Sequence, residues 1–141
     1  MNIIEKIFNS DVISIVARPP FWAEPPVPIT DRASLDIFLN NNDKKKNRFW
    51  ADYYKLSDLE FNVALSFMNS DETDRCFALS KTGKRCNNHT YVEQIIASNK
   101  IADFLCPTHN KRKTVKFAIS DYIGDGYRRL IDYELPNKEG S

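Results

Sequence analysis

All three cysteines and both histidines of this 141-residue chain fall inside one stretch, Arg75 to His109, which reads RCFALSKTGKRCNNHTYVEQIIASNKIADFLCPTH. Cys76, Cys86, Cys106 and His109 follow the spacing C-x9-C-x19-C-x2-H. Three thiolates and an imidazole, arranged in two sequence-local pairs, are the donor set that a tetrahedral zinc ion (Zn2+) takes. The C-x2-H step is the more specific half, because Pro107 limits the turn between Cys106 and His109 and lets sulfur and nitrogen face one ion. Cys86-Asn-Asn-His89 is also C-x2-H, so Cys86, His89, Cys106 and His109 form a second possible set. The first is preferred because it uses every cysteine. An odd cysteine count argues against a disulfide framework, and three ordinary buried thiols are the plain alternative to a metal.

Such a site needs elements that bring its halves together. Nine residues are too many for a knuckle between Cys76 and Cys86, but Ser80-Lys81-Thr82-Gly83-Lys84 has turn composition, so two short strands, 75–79 and 84–87, are expected to carry the pair side by side. Thr90-Tyr-Val-Glu93 fits a capping box, and Val92, Ile95 and Ile96 then share one helical face. The expected module, residues 75–113, is a β-hairpin, a helix of two to three turns and a return knuckle.

At these residues the chain resembles a loose group of small Cys3His zinc modules that includes the plant WRC domain and short bacterial and phage domains. The matching residues are Arg75-Cys76, the polar Lys81-Thr-Gly-Lys84, Arg85-Cys86-Asn87 and Cys106-Pro-Thr-His109. The spacer of nineteen residues is longer than is usual in that group. The resemblance covers about a quarter of the chain and implies a zinc site, with contact to nucleic acid or protein.

Charge is distributed unevenly. Residues 1–75 hold 9 Lys+Arg against 12 Asp+Glu, residues 76–113 hold 7 against 2, and residues 114–141 hold 4 against 5. The positive excess therefore lies on the expected zinc module, where Lys81, Lys84, Arg85, Lys111, Arg112 and Lys113 could track a phosphate backbone of DNA or RNA. A merely solvated basic face is the bland reading. The competing function is a protein-binding inhibitor or adaptor, of the kind phages and mobile elements encode, in which zinc only stiffens the interface. No Gly-rich phosphate loop, nucleophile elbow or catalytic carboxylate pair is present, so no catalytic residue is assigned. A nuclease using His89 as general base is the one enzymatic option.

The remaining chain reads as an α+β fold of short helices and a few strands. Residues 1–74 are expected to be mainly helical. They open with an amphipathic helix over 2–9 and a strand from Asp11, followed by the connection 18–28, which holds five of the seven prolines. Phe21 and Trp22 should pin that connection to the core. Asp31 or Thr30 caps a helix with Leu35, Phe38 and Leu39. Lys44, Lys45, Lys46 and Arg48 precede the aromatics Phe49, Trp50, Tyr53 and Tyr54, and Ser57-Asp-Leu-Glu60 opens another helix. Residues 114–141 should form a C-terminal hairpin, with Val115, Phe117 and Ile119 on one face and a turn at Gly124-Asp125-Gly126. With no membrane-length apolar run and no signal-like N-terminus, the expected location is cytoplasmic.

Overall fold

The structure is a computed structural model that describes residues 15–40, 42–90, 92 and 94–135. The helix expected over 2–9 and most of the strand expected from Asp11 lie outside the described residues. Within them the chain is α+β, as expected from the sequence: helices α1 (Arg32–Leu39), α2 (Asp43–Tyr53), α3 (Asp58–Met68) and α4 (Pro107–Asn110), a 3-10 turn at Ile101–Phe104, and two antiparallel pairs. Strand β1 (Val16–Ala17) pairs with β2 (Val27–Pro28), and β3 (Thr114–Ser120) pairs with β4 (Arg128–Glu134).

Each helix starts where a side chain can satisfy its free N–H groups. Asp31 accepts from the Ser34 N–H, Asn42 from the Lys45 N–H, and Ser57 and Glu60 form a full capping box. Helix α2 ends in a Schellman arrangement: Leu56 N–H donates to Ala51 O and Lys55 N–H to Asp52 O, with Lys55 at φ 57°.

The core is built where α3 lies on β3. Phe61, Val63, Leu65 and Phe67 from α3 and Val115, Phe117 and Ile119 from β3 are all buried. The alternation along β3 follows from the period of two, since Lys116 between those residues points to solvent. Three such side chains fully buried contribute on the order of 5 kcal/mol or more, which fixes the sheet's register. The turn between β3 and β4 is held by Asp121, whose carboxylate accepts from the N–H groups of Ile123, Gly124 and Asp125. A side chain at 124 would collide with that carboxylate.

Two expectations fail. Among the described residues no helix follows Thr90: those between Thr90 and Lys100 form an irregular segment, and Thr90 Oγ1 is buried without a hydrogen-bond partner. Sequence-distant partners win over local helix bonding there. Ala23 N–H donates to Ile95 O, Ala97 N–H donates to the Glu24 carboxylate, and Ile95 is fully buried. The proline-rich connection thus anchors this segment, through Phe21 in the core, but Trp22 is 59% exposed and does not share that role.

Candidate metal centre

The hairpin between Arg75 and His89 is real but irregular. Leu79 bridges Arg85, Arg75 bridges His89, and Cys86 N–H donates to Ala78 O while Cys76 N–H donates to Asn88 O. Gly83 closes the turn at φ 82°, a conformation that other residues adopt only with strain. Leu79 also bridges Lys116, so the hairpin joins the edge of the β3–β4 pair. Phe77 N–H donates to Phe104 O, which ties the first ligand strand to the segment leading into the knuckle. Cys106 then serves as N-cap of α4, with Pro107 at the first helical position and the Cys106 sulfur accepting from the His109 N–H at 3.5 Å.

These connections bring Cys76, Cys86, Cys106 and His109 together, with their ligand atoms all within 4.8 Å of one another. His109 presents Nδ1 to the sulfurs, 3.6 Å from Cys76 and 3.3 Å from Cys106. A tetrahedral ion with metal–sulfur and metal–nitrogen bonds near 2.3 and 2.05 Å has sulfur–nitrogen edges of about 3.5 Å, so the donor set fits one four-coordinate metal. All three cysteines are free. His89 is exposed and stands outside the group, so Cys76 and not His89 completes it.

The surroundings favour anionic sulfur at Cys106. Asn88 serves two thiols, its backbone N–H reaching the Cys86 sulfur at 3.4 Å and its side-chain amide the Cys106 sulfur at 3.5 Å. Burial alone would raise the Cys106 thiol, but the N–H of His109 and the Asn88 amide bring it below its ordinary value. Burial pushes Cys76 up, so Cys106 is the more acidic of the two. Behind the cluster, the Arg85 guanidinium lies 5.4 Å from the Phe77 ring centre and 5.8 Å from that of Phe67. Its N–H groups donate to the carbonyls of Cys76, Arg75 and Glu72. Arg75 donates in turn to the carbonyls of Cys86 and Arg85.

The basic residues separate into two kinds. Arg85 is half-buried with its Nε and Nη2 given to backbone carbonyls, so it serves the hairpin before any outward contact. Lys81, Lys84, Lys111, Arg112 and Lys113 are exposed. Lys81 and Arg112 line one open groove of about 550 Å³ beside the cluster, together with Gly83, His109, Thr114 and Lys116. Lys111 faces a different groove, beside Asn99 and Asp103. Asn88 and Lys116 were missed in the sequence. Asn88 could have been sought at the second position after a ligand, but Lys116 is set beside the hairpin turn by the Leu79 bridge, which no local pattern encodes. No helix among the described residues is long and apolar enough to cross a membrane. No protein-family model, curated protein or solved structure matches the chain.

Proposed function

We propose that this is a small zinc-binding regulatory protein that contacts nucleic acid through the basic groove beside its metal centre. One Zn2+ held by Cys76, Cys86, Cys106 and His109 has all four positions filled by protein, which leaves no open position for a reactive water and makes the ion structural, not catalytic. Bound there, it would cross-link hairpin and knuckle. Reduced thiols are required, so the protein belongs in a reducing compartment such as the cytoplasm.

The observation that carries the nucleic-acid reading is the groove, where Lys81 from the hairpin turn meets Arg112 and Lys116 from the continuous stretch that leaves α4 and enters β3. Among the residues that line the groove the acid is Asp132, 3.8 Å from the Lys116 ammonium. Positive charge gathered without equal acid is the footprint of phosphate binding. Salt titration of binding to a labelled oligonucleotide tests it: affinity should fall steeply with ionic strength. Reversing charge at Lys81 and Arg112 should weaken binding across sequences and flatten the slope, with zinc content unchanged. Retention of a stoichiometric protein from cell lysate through nuclease and high salt, with no nucleic acid held, would overturn the reading.

A protein-binding role has one observation in its favour. Ile37, Phe49, Tyr53 and Ile123 line a second, largely apolar groove of about 620 Å³ with Lys44 and Lys45 at its rim. The Phe49 and Tyr53 rings stack on each other at 6.1 Å, which suits an apolar side chain inserted beside them better than a strand of bases.

A further inference from the structure

The metal-facing histidine has a second nitrogen with a task of its own. Nδ1 of His109 faces the sulfurs of Cys76 and Cys106, so with a metal on Nδ1 the ring's single proton must sit on Nε2. Metal-bound histidines nearly always donate that outer N–H to a carboxylate, a carbonyl or water, which fixes the ring and strengthens it as a ligand. Nε2 of His109 makes no hydrogen bond to any described residue. It is not sealed in the interior either: His109 lines the basic groove, and the ring edge turned away from the sulfurs is the edge that carries Nε2.

We propose that the groove is an anion site in which a phosphate oxygen of a nucleic-acid strand accepts the Nε2–H of His109, flanked by Lys81 and Arg112. The proposal rests on the nucleic-acid reading above and goes further, by naming the atom at which the ligand meets the metal centre. An anionic oxygen there is held by a neutral N–H and two cations, and Thr114 on the groove wall offers a hydroxyl. Because Nδ1 and Nε2 belong to one ring, occupancy of the groove and of the metal site favour each other: the metal fixes the proton on Nε2, and an acceptor at Nε2 raises the donor strength of Nδ1.

The test uses the zinc-loaded full chain with its histidines labelled with nitrogen-15, titrated separately with a short single-stranded oligonucleotide and with inorganic phosphate, with chloride at matched ionic strength as control. The expected result is a downfield shift of the His109 Nε2 proton with both phosphate-bearing probes and not with chloride. Replacing Arg112 by Gln, an exposed side-chain change that is not at a ligand and keeps the backbone N–H donated to His109 O, should weaken that response about tenfold, as expected for losing one strong phosphate contact. If the oligonucleotide binds but the Nε2 signal stays still, the inference fails while the nucleic-acid reading stands. If inorganic phosphate moves the signal and the oligonucleotide does not bind, the anion site stands and its nucleic-acid ligand is wrong. If neither probe binds, both fail.

Discussion

Arg75 and Arg85 hold each other's strands: Nε of Arg75 donates to the carbonyl of Cys86 at 2.7 Å, and Nε of Arg85 donates to the carbonyl of Cys76 at 3.0 Å. Each arginine precedes a ligand and grips the ligand opposite. The pairing also sets two positive charges behind three thiolates, where a zinc ion with three thiolates and a neutral imidazole would carry one net negative charge. Lysine cannot reproduce a fork that spans several carbonyls at once. Arg85→Lys should therefore lower stability by about 2–3 kcal/mol, read as a shift in the urea midpoint, while a charge-only role would leave the midpoint unmoved.

Purified protein should contain one zinc per chain. Cys76→Ser and His109→Ala should abolish stoichiometric zinc, whereas His89→Ala should retain it, since His89 is exposed and its neighbourhood is held by backbone pairing to Arg75. Metal analysis by mass spectrometry separates the two ligand sets directly.

Chelation should disturb more than the hairpin. Cys76, Phe77, Phe104 and Cys106 belong to the same buried cluster as Phe67 and Phe117, and Phe67 stacks on Phe104 at 4.5 Å. Loss of the ion should thus raise hydrogen exchange in α3 and β3 as well as around the ligands. Protection in α3 and β3 identical with and without chelator would contradict it.

Lys55 offers a stabilising change. It sits at φ 57° at the end of α2, where glycine is the usual residue. Lys55→Gly should raise stability by about 0.5–1 kcal/mol, visible as a higher thermal midpoint with zinc content unchanged.

The pH dependence near the β3–β4 turn has a definite sign. Asp121 is held below its ordinary value of 3.8, first by the N–H of Gly124 and then by those of Asp125 and Ile123 and the Asn62 amide. A carboxylate depressed in the folded state contributes stability that is complete above its unfolded value and is lost as pH falls from about 4 through its folded one. Asp121→Asn should therefore flatten the stability curve in that acid window and cost about 1–2 kcal/mol at neutral pH, measured by urea unfolding at a series of pH values.

What could be read from the sequence was what short patterns encode. The four ligands, the Ser57–Glu60 capping box, the alternation of Val115, Phe117 and Ile119, and the turn at Gly124–Gly126 each announce themselves within a dozen residues, and the structure contains all of them. The segment after Thr90 misled because its helical periodicity is genuine, yet Ile95 is claimed by Ala23 and its neighbour Ala97 by Glu24, more than seventy residues earlier in the chain. Arg85 misled in the opposite sense. A basic residue in a polar hairpin looks solvent-facing until the aromatic rings of Phe67 and Phe77 are seen to flank it.

The nineteen residues between Cys86 and Cys106 behave as a measured brace and not as slack. Their midpoint is clamped to the proline-rich connection by Ile95 and Ala97, so their length is tied to two fixed points besides the ligands. An insertion at the exposed Ser98 turn extends only a loop, and doubling a loop's length costs about 0.6 kcal/mol. A deletion that removed Ile95 would take a core residue with it and cut the backbone tie from Ala23, leaving Phe21 to hold the N-terminal connection. Tolerance to changes in length is therefore sharply lopsided: this spacer can grow at its tip, but it cannot be trimmed through Ile95.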